Sequence, residues 1–74
     1  MSEISERLRL RRIVMNLSQR EAAEKIGYST AAVNAWENGK CSPNAEALAD
    51  LVKIYNCSAD FILGLTDDAS RKGE

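Results

Sequence analysis

The chain has 74 residues, ten Lys or Arg against eleven Asp or Glu, two Cys and no His. A chain this short allows one domain and buries only about 60% of its unfolded surface, so it needs compact helices, a metal, disulfides or a partner. Two Cys without His exclude the usual zinc site, and no apolar run is long enough for a signal peptide or a membrane span.

The formal charge is −1 and the pI about 5.4, which argues against a uniformly basic nucleic-acid binder. The charge is uneven, however. Residues 1–40 carry seven basic and five acidic side chains, and residues 41–74 carry three and six. A local positive patch, rather than the overall balance, is what steers an anionic partner. Catalytic chemistry has no foothold: there is no His, no nucleophile–base pairing, no phosphate-cradling Gly loop and no carboxylate pair in a deducible cleft. Glu21 and Glu24 are explained by capping and solvation. No cofactor, metal or small-molecule ligand is indicated. Cys57 reads as a small core residue and Cys41 as a loop thiol in a reducing cytoplasm.

In chain order, Met1 to Ser5 reads as a frayed start, followed by a first helix from about Ser5 to Met15. Ile4, Leu8 and Met15 share its inner face, and Leu17 leads into the next element. Arg7, Arg9, Arg11 and Arg12 crowd this helix, the first three as a solvated basic face with packed stems. Leu10, Ile13 and Val14 make a second apolar stripe, read as buried or incidental in preference to a partner contact.

The next stretch, Ser18 to Lys40, organises the rest. Ser18 followed by Glu21 is a capping box, in which each side chain satisfies the other's free backbone N–H. Ala22, Ala23 and Ile26 line one side of the helix it opens, and Gly27 supplies the positive φ that ends it. Ser29 caps a third helix, closed by Asn38-Gly39. Helix, Gly-containing turn, helix is the helix-turn-helix pattern.

Winding the third helix at about 100° per residue puts Val33 and Trp36 on one side. Ala31, Asn34, Ala35 and Asn38 fall on the other, where a recognition helix meets the major groove. Glu37 lies only about 40° from Val33 by the same winding, so its carboxylate points partly inward and needs a partner. Arg12 is the best candidate. Trp36 packs in the core, and Tyr28 either packs under the turn or reaches outward.

After the loop Lys40-Cys41-Ser42-Pro43, Asn44 caps a fourth helix to about Tyr55, with Leu48, Leu51, Val52 and Tyr55 as its core stripe and Ile54 off it. Ser58 caps a last short helix that turns Phe61 and Ile62 inward and stops at Gly64. The polar stretch that follows has no periodicity and reads as disordered. The predicted division is a helix-turn-helix domain over 1–66, with the motif at about 18–38, and a tail over 67–74. Five short helices with short loops give an all-α bundle.

The pattern Ser-Gln-x-x-x-Ala-x-x-Ile-Gly, then Val-x-x-Trp-Glu-x-Gly-Lys, resembles the phage repressor and Cro-type helix-turn-helix family of bacterial and phage transcription regulators. Downstream, Pro43, Leu48 and Cys57-Ser58-x-Asp60-Phe61-Ile62-Leu63-Gly64 are similar to that family's last two helices. The likeness runs from about Ile4 to Leu65 and implies a compact five-helix bundle of the lambda-repressor-like type. It implies that Arg12 pairs with Glu37 and lies near the DNA backbone, and that Gln19 contacts a phosphate, with Arg20 adding charge nearby. Asn38 and Lys40 are further backbone candidates. Base contact falls to Ser29, Thr30, Ala31, Asn34 and Ala35, among which only Asn34 can pair bidentately with a base edge. Shape readout therefore supplies part of any discrimination.

The expected function is sequence-specific binding of double-stranded DNA by a cytoplasmic regulator, a repressor, acting as a homodimer. By resemblance the last helices supply the dimer surface, with Ile54, Leu63 and Leu65 exposed. The alternative is a protein-interaction module that keeps the fold but has lost its DNA readers, an antirepressor or antitoxin-like partner. The Ala-rich face, the acidic pI and the stripe at Leu10, Ile13 and Val14 support it.

Overall fold

Side-chain caps and left-handed residues set where this chain enters and leaves its helices. The computed structural model describes residues 3–70. Among these, five helices follow one another: α1 Glu3–Val14, α2 Gln19–Ile26, α3 Thr30–Glu37, α4 Ala45–Ile54 and α5 Ala59–Ile62. Each of α2 to α5 begins on a polar cap whose oxygen accepts from a backbone N–H in the first turn: Ser18, Ser29, Asn44 and Ser58. At Ser18 both halves of the capping box form, at 2.9 and 3.0 Å. The Ser18 backbone N–H, and then its hydroxyl, hold the Glu21 carboxyl below its ordinary pKa.

The helix ends follow the same local chemistry. Gly27 closes α2 at φ 76°, and Asn16 and Asn56 end α1 and α4 at φ 58° and 50°. Asn enters this region more readily than other residues with a side chain. Past Asn16 the Leu17 N–H returns to the Arg12 carbonyl at 3.1 Å, and past Gly39 the Lys40 N–H returns to the Ala35 carbonyl at 3.0 Å.

The core gathers one residue group from every helix: Leu8, Ala22 and Ala23, Val33 and Trp36, Ala47, Leu51 and Tyr55, then Phe61 and Ile62, with Cys57 from the connecting loop. Burial raises the Tyr55 phenol well above its ordinary pKa, and the negative charge of Glu37 adds to the shift. The fully buried alanines let α2 and α4 approach closely. Ala47, rather than Leu48, heads the inner line of α4, because Ala47, Leu51 and Tyr55 repeat every four residues. Leu48 and Val52 are only partly buried, as is Ile54.

Several expectations are corrected. The first helix is already formed at Glu3. Its inner face is carried by Ser5 and Leu8, with Ile4 packed on the core as expected and Arg12 in line, which turns Leu10, Ile13 and Val14 to the opposite side. These three are 51%, 54% and 56% exposed, so the second stripe is not buried. Met15, one residue past the helix, is exposed as well. Arg7 and Arg11 are not part of a solvated face. Arg7 donates to the carbonyls of Phe61 and Thr66 at 2.9 and 2.7 Å, and its guanidinium lies 4.4 Å from the Phe61 ring centre. Arg11 donates to the carbonyls of Tyr55 and Asn56, at 3.1 Å each, which satisfies the end of α4.

Residues 66–70 are laid along the bundle. Thr66 and Asp67 meet Arg7, the Ala69 carbonyl accepts from the Ser58 N–H at 3.0 Å, and Ala69 packs on the core. The tail beyond residue 70, and Met1 and Ser2, lie outside the described residues. No helix among the described residues is long and apolar enough to cross a membrane.

Candidate nucleic-acid interface

The inner side of α3 is pinned at three points. Val33 is 1% exposed, Trp36 6% and Glu37 4%. The Tyr28 ring meets Trp36 edge-on, with centroids 5.2 Å apart at 63°, so the turn residue packs on the core residue while keeping an exposed edge.

Glu37 is the third pin. Its carboxylate takes a two-point grip from Arg12, Nε to Oε2 at 2.7 Å and Nη2 to Oε1 at 3.0 Å. The Arg12 Nη1 donates to the Leu17 carbonyl at 2.8 Å. The pair is nearly dry, with side chains 13% and 3% exposed. Hydrogen bonding to Glu37 raises the guanidinium above its ordinary pKa, against the opposing effect of burial. Arg12 thereby ties α1 to the end of α3 and to the lead-in of α2, and three of its five N–H groups serve structure.

The outer side of α3 is open to solvent. Ser29, Thr30, Ala31, Asn34 and Asn38 are exposed and Ala35 is half-buried. Beside them, at the start of α2, stand Gln19, half-buried, and Arg20, whose side chain is 79% exposed. Arg20 sits 3.5 Å from Glu24, an exposed pair worth little by itself. Lys40 is exposed just past α3.

Three of these polar groups form a chain that periodicity alone does not reveal. Gln19 donates to Glu37, Asn34 donates to Gln19, and Asn38 donates to Asn34, at 3.1, 3.2 and 2.9 Å. The four-residue spacing of Asn34 and Asn38 is readable as a helix-surface pair. The link to Gln19 depends on how α2 crosses α3, which no local pattern states.

A further surface feature among the described residues is on α1. Leu10 and Ile13, with Glu6, Arg9 and Glu37, line an open groove of about 290 Å³. Leu63 and Leu65, 45% and 74% exposed, project from the far end of the chain, and Ile54 is half-buried. Cys41 is an exposed loop thiol and Cys57 is fully buried.

Two capped helices crossing at a Gly turn, the second pinned inside and open outside, define a helix-turn-helix domain. The chain belongs to the helix-turn-helix family, whose model matches residues 8–62. It is 38% identical over 69 residues to YobD, an uncharacterized HTH-type transcriptional regulator of Bacillus subtilis, across 93% of this chain and 62% of that protein. It is 35% identical over 60 residues to repressor protein C2 of Salmonella phage P22, across 81% of this chain and 28% of that protein. The chain thus spans less than two thirds of the length of these curated relatives. Among solved structures, the P22 c2 repressor in complex with a synthetic operator matches with a TM-score of 0.78 at 32% identity, over 84% of this chain and 94% of that one.

Proposed function

We propose that the chain binds double-stranded DNA sequence-specifically, as a homodimeric transcriptional regulator of the repressor type acting in the cytoplasm. One observation carries this reading: α3 is fixed through Val33, Trp36 and Glu37 while its opposite side, from Ser29 to Asn38, stays exposed. A helix held this way can lie along the major groove without loosening the core. The operator complex of the P22 c2 repressor, a protein with the same fold, supports the assignment.

In this reading Gln19, Arg20, Asn38 and Lys40 contact phosphates, with Arg12 close behind them. The start of α2 adds its free N–H groups and helix dipole. Ser29, Thr30, Ala31, Asn34 and Ala35 face the groove. Short side chains there favour close approach and leave part of the discrimination to DNA shape. A single domain of this size covers little DNA, so two copies reading half-sites about one helical turn apart are needed for affinity. Leu63 and Leu65, with Ile54 at the edge, supply apolar surface for that pairing.

The test is enrichment of random duplexes on the purified protein at moderate salt. An inverted repeat is expected, with affinity falling by a log–log slope of about −0.9 per phosphate contact as salt rises. A flat salt response would remove the electrostatic mechanism. The exposed Leu10–Ile13–Val14 stripe favours one second reading, a module that contacts another protein in place of DNA. Enrichment of no duplex selects that reading.

A further inference from the structure

Gln19, Asn34 and Asn38 are one chain of amides anchored on Glu37, and charge sets its direction. An ionised carboxylate only accepts, so Gln19 must turn its Nε2 toward Glu37 Oε1. Its Oε1 then faces the other way and needs a donor, which is Asn34 Nδ2. That leaves Asn34 Oδ1 to accept from Asn38 Nδ2. Each amide nitrogen carries two hydrogens, and this order spends one of each, so Gln19, Asn34 and Asn38 all keep a second N–H for an outside acceptor. Turning any one amide round would set oxygen against oxygen or nitrogen against nitrogen. The anchor is firm, because Glu37 is 4% exposed and gripped at both oxygens by Arg12.

We propose that Asn34 is a positioning residue and not a base reader: it is a strut between Gln19 on α2 and Asn38 at the end of α3, holding both with an N–H turned to the DNA backbone. The inference rests on the DNA-binding reading above. Bidentate pairing with adenine uses the oxygen and nitrogen of one amide together. In Asn34 those two atoms are already tied to neighbours on opposite sides, so such pairing competes with both hydrogen bonds. Base preference then comes from the start of α3 and from DNA shape, and Asn34 sets the strength of binding.

The experiment uses the full chain and the duplex it enriches. Wild type, Asn34→Ala, Gln19→Ala and the double variant are titrated against that duplex and against each of its single-base-pair changes. Asn34→Ala is expected to weaken every duplex by a common factor of about fivefold, the size of one net hydrogen bond, with the order of preference kept. The double variant is expected to bind more weakly than Gln19→Ala alone by clearly less than the loss seen for Asn34→Ala in the wild type, because only the part of the strut that holds Asn38 is left to lose. Thermal melting of Asn34→Ala should match wild type, which separates this loss from unfolding. A changed preference at any base pair, or losses that multiply in the double variant, overturns the strut and leaves DNA binding standing. If the wild type enriches no duplex, the functional reading falls first and the strut with it.

Discussion

Arg7 and Arg12 stand in the two halves of α1, and both reach carboxylates. Arg12 and Glu37 are both out of water, at 13% and 3% side-chain exposure. Arg7 is similarly covered at 16%, but its partners Glu3, at 3.2 Å, and Asp67 are 54% and 98% exposed. The two sites have similar shortest contacts, 2.7 and 2.9 Å, and very different expected energetics. Breaking the first leaves a buried charge without its counter-ion. Breaking the second returns wet carboxylates to water. What matters at Arg7 is therefore the pair of backbone carbonyls and the Phe61 ring, not its exposed ion pairs.

The largest effect should come from Arg12→Ala. Stranding Glu37 should cost roughly 3–5 kcal/mol, a large part of the stability of a small domain, read from a denaturant or thermal melt. An unshifted melt would show that Glu37 finds water, and the contrast between the two sites would vanish. Arg7→Ala should cost about 2 kcal/mol, through two lost carbonyl hydrogen bonds and the cation–π contact. Asp67→Ala in the same assay should stay within about 0.5 kcal/mol. A loss at Asp67 as large as that at Arg7 would mean the exposed ion pair holds the tail after all.

Between these lies the capping box, where Ser18→Ala should cost about 1 kcal/mol. Its partner Glu21 gives a pH signature. The folded state holds this carboxyl below its ordinary pKa. Its contribution is thus complete above the ordinary carboxylate range and is lost as pH falls through that range and below the folded value. Glu21→Ala should flatten that part of the stability–pH curve, and an unchanged acid limb would exclude the box as its source.

The same contrast explains what could be read ahead of the structure. Helix starts were legible because Ser18, Ser29, Asn44 and Ser58 bond to N–H groups within three residues, a purely local rule. The Arg12–Glu37 pair was legible because helical winding placed a carboxylate beside Val33 and left it needing a cation. The anchoring of Arg7 and Arg11 leaves no mark in the sequence, because their acceptors are backbone carbonyls more than forty residues away, and every residue type offers such a carbonyl. The exposure of the stripe at Leu10, Ile13 and Val14 is hidden from the sequence for a related reason. Two apolar faces compete on α1, and Ser5, small and fully buried, marks the inner one. A serine carries no apolar signal, so periodicity gave that face too little weight. The amide chain through Gln19 escaped because it depends on how two helices cross.

Mapping backbone amide shifts by NMR while the enriched duplex is added tests the central claim most directly. The account predicts the largest changes at Gln19, Arg20 and from Ser29 to Lys40, with Leu10, Ile13 and Val14 quiet. Changes centred on the α1 stripe, with α3 unmoved, would contradict it.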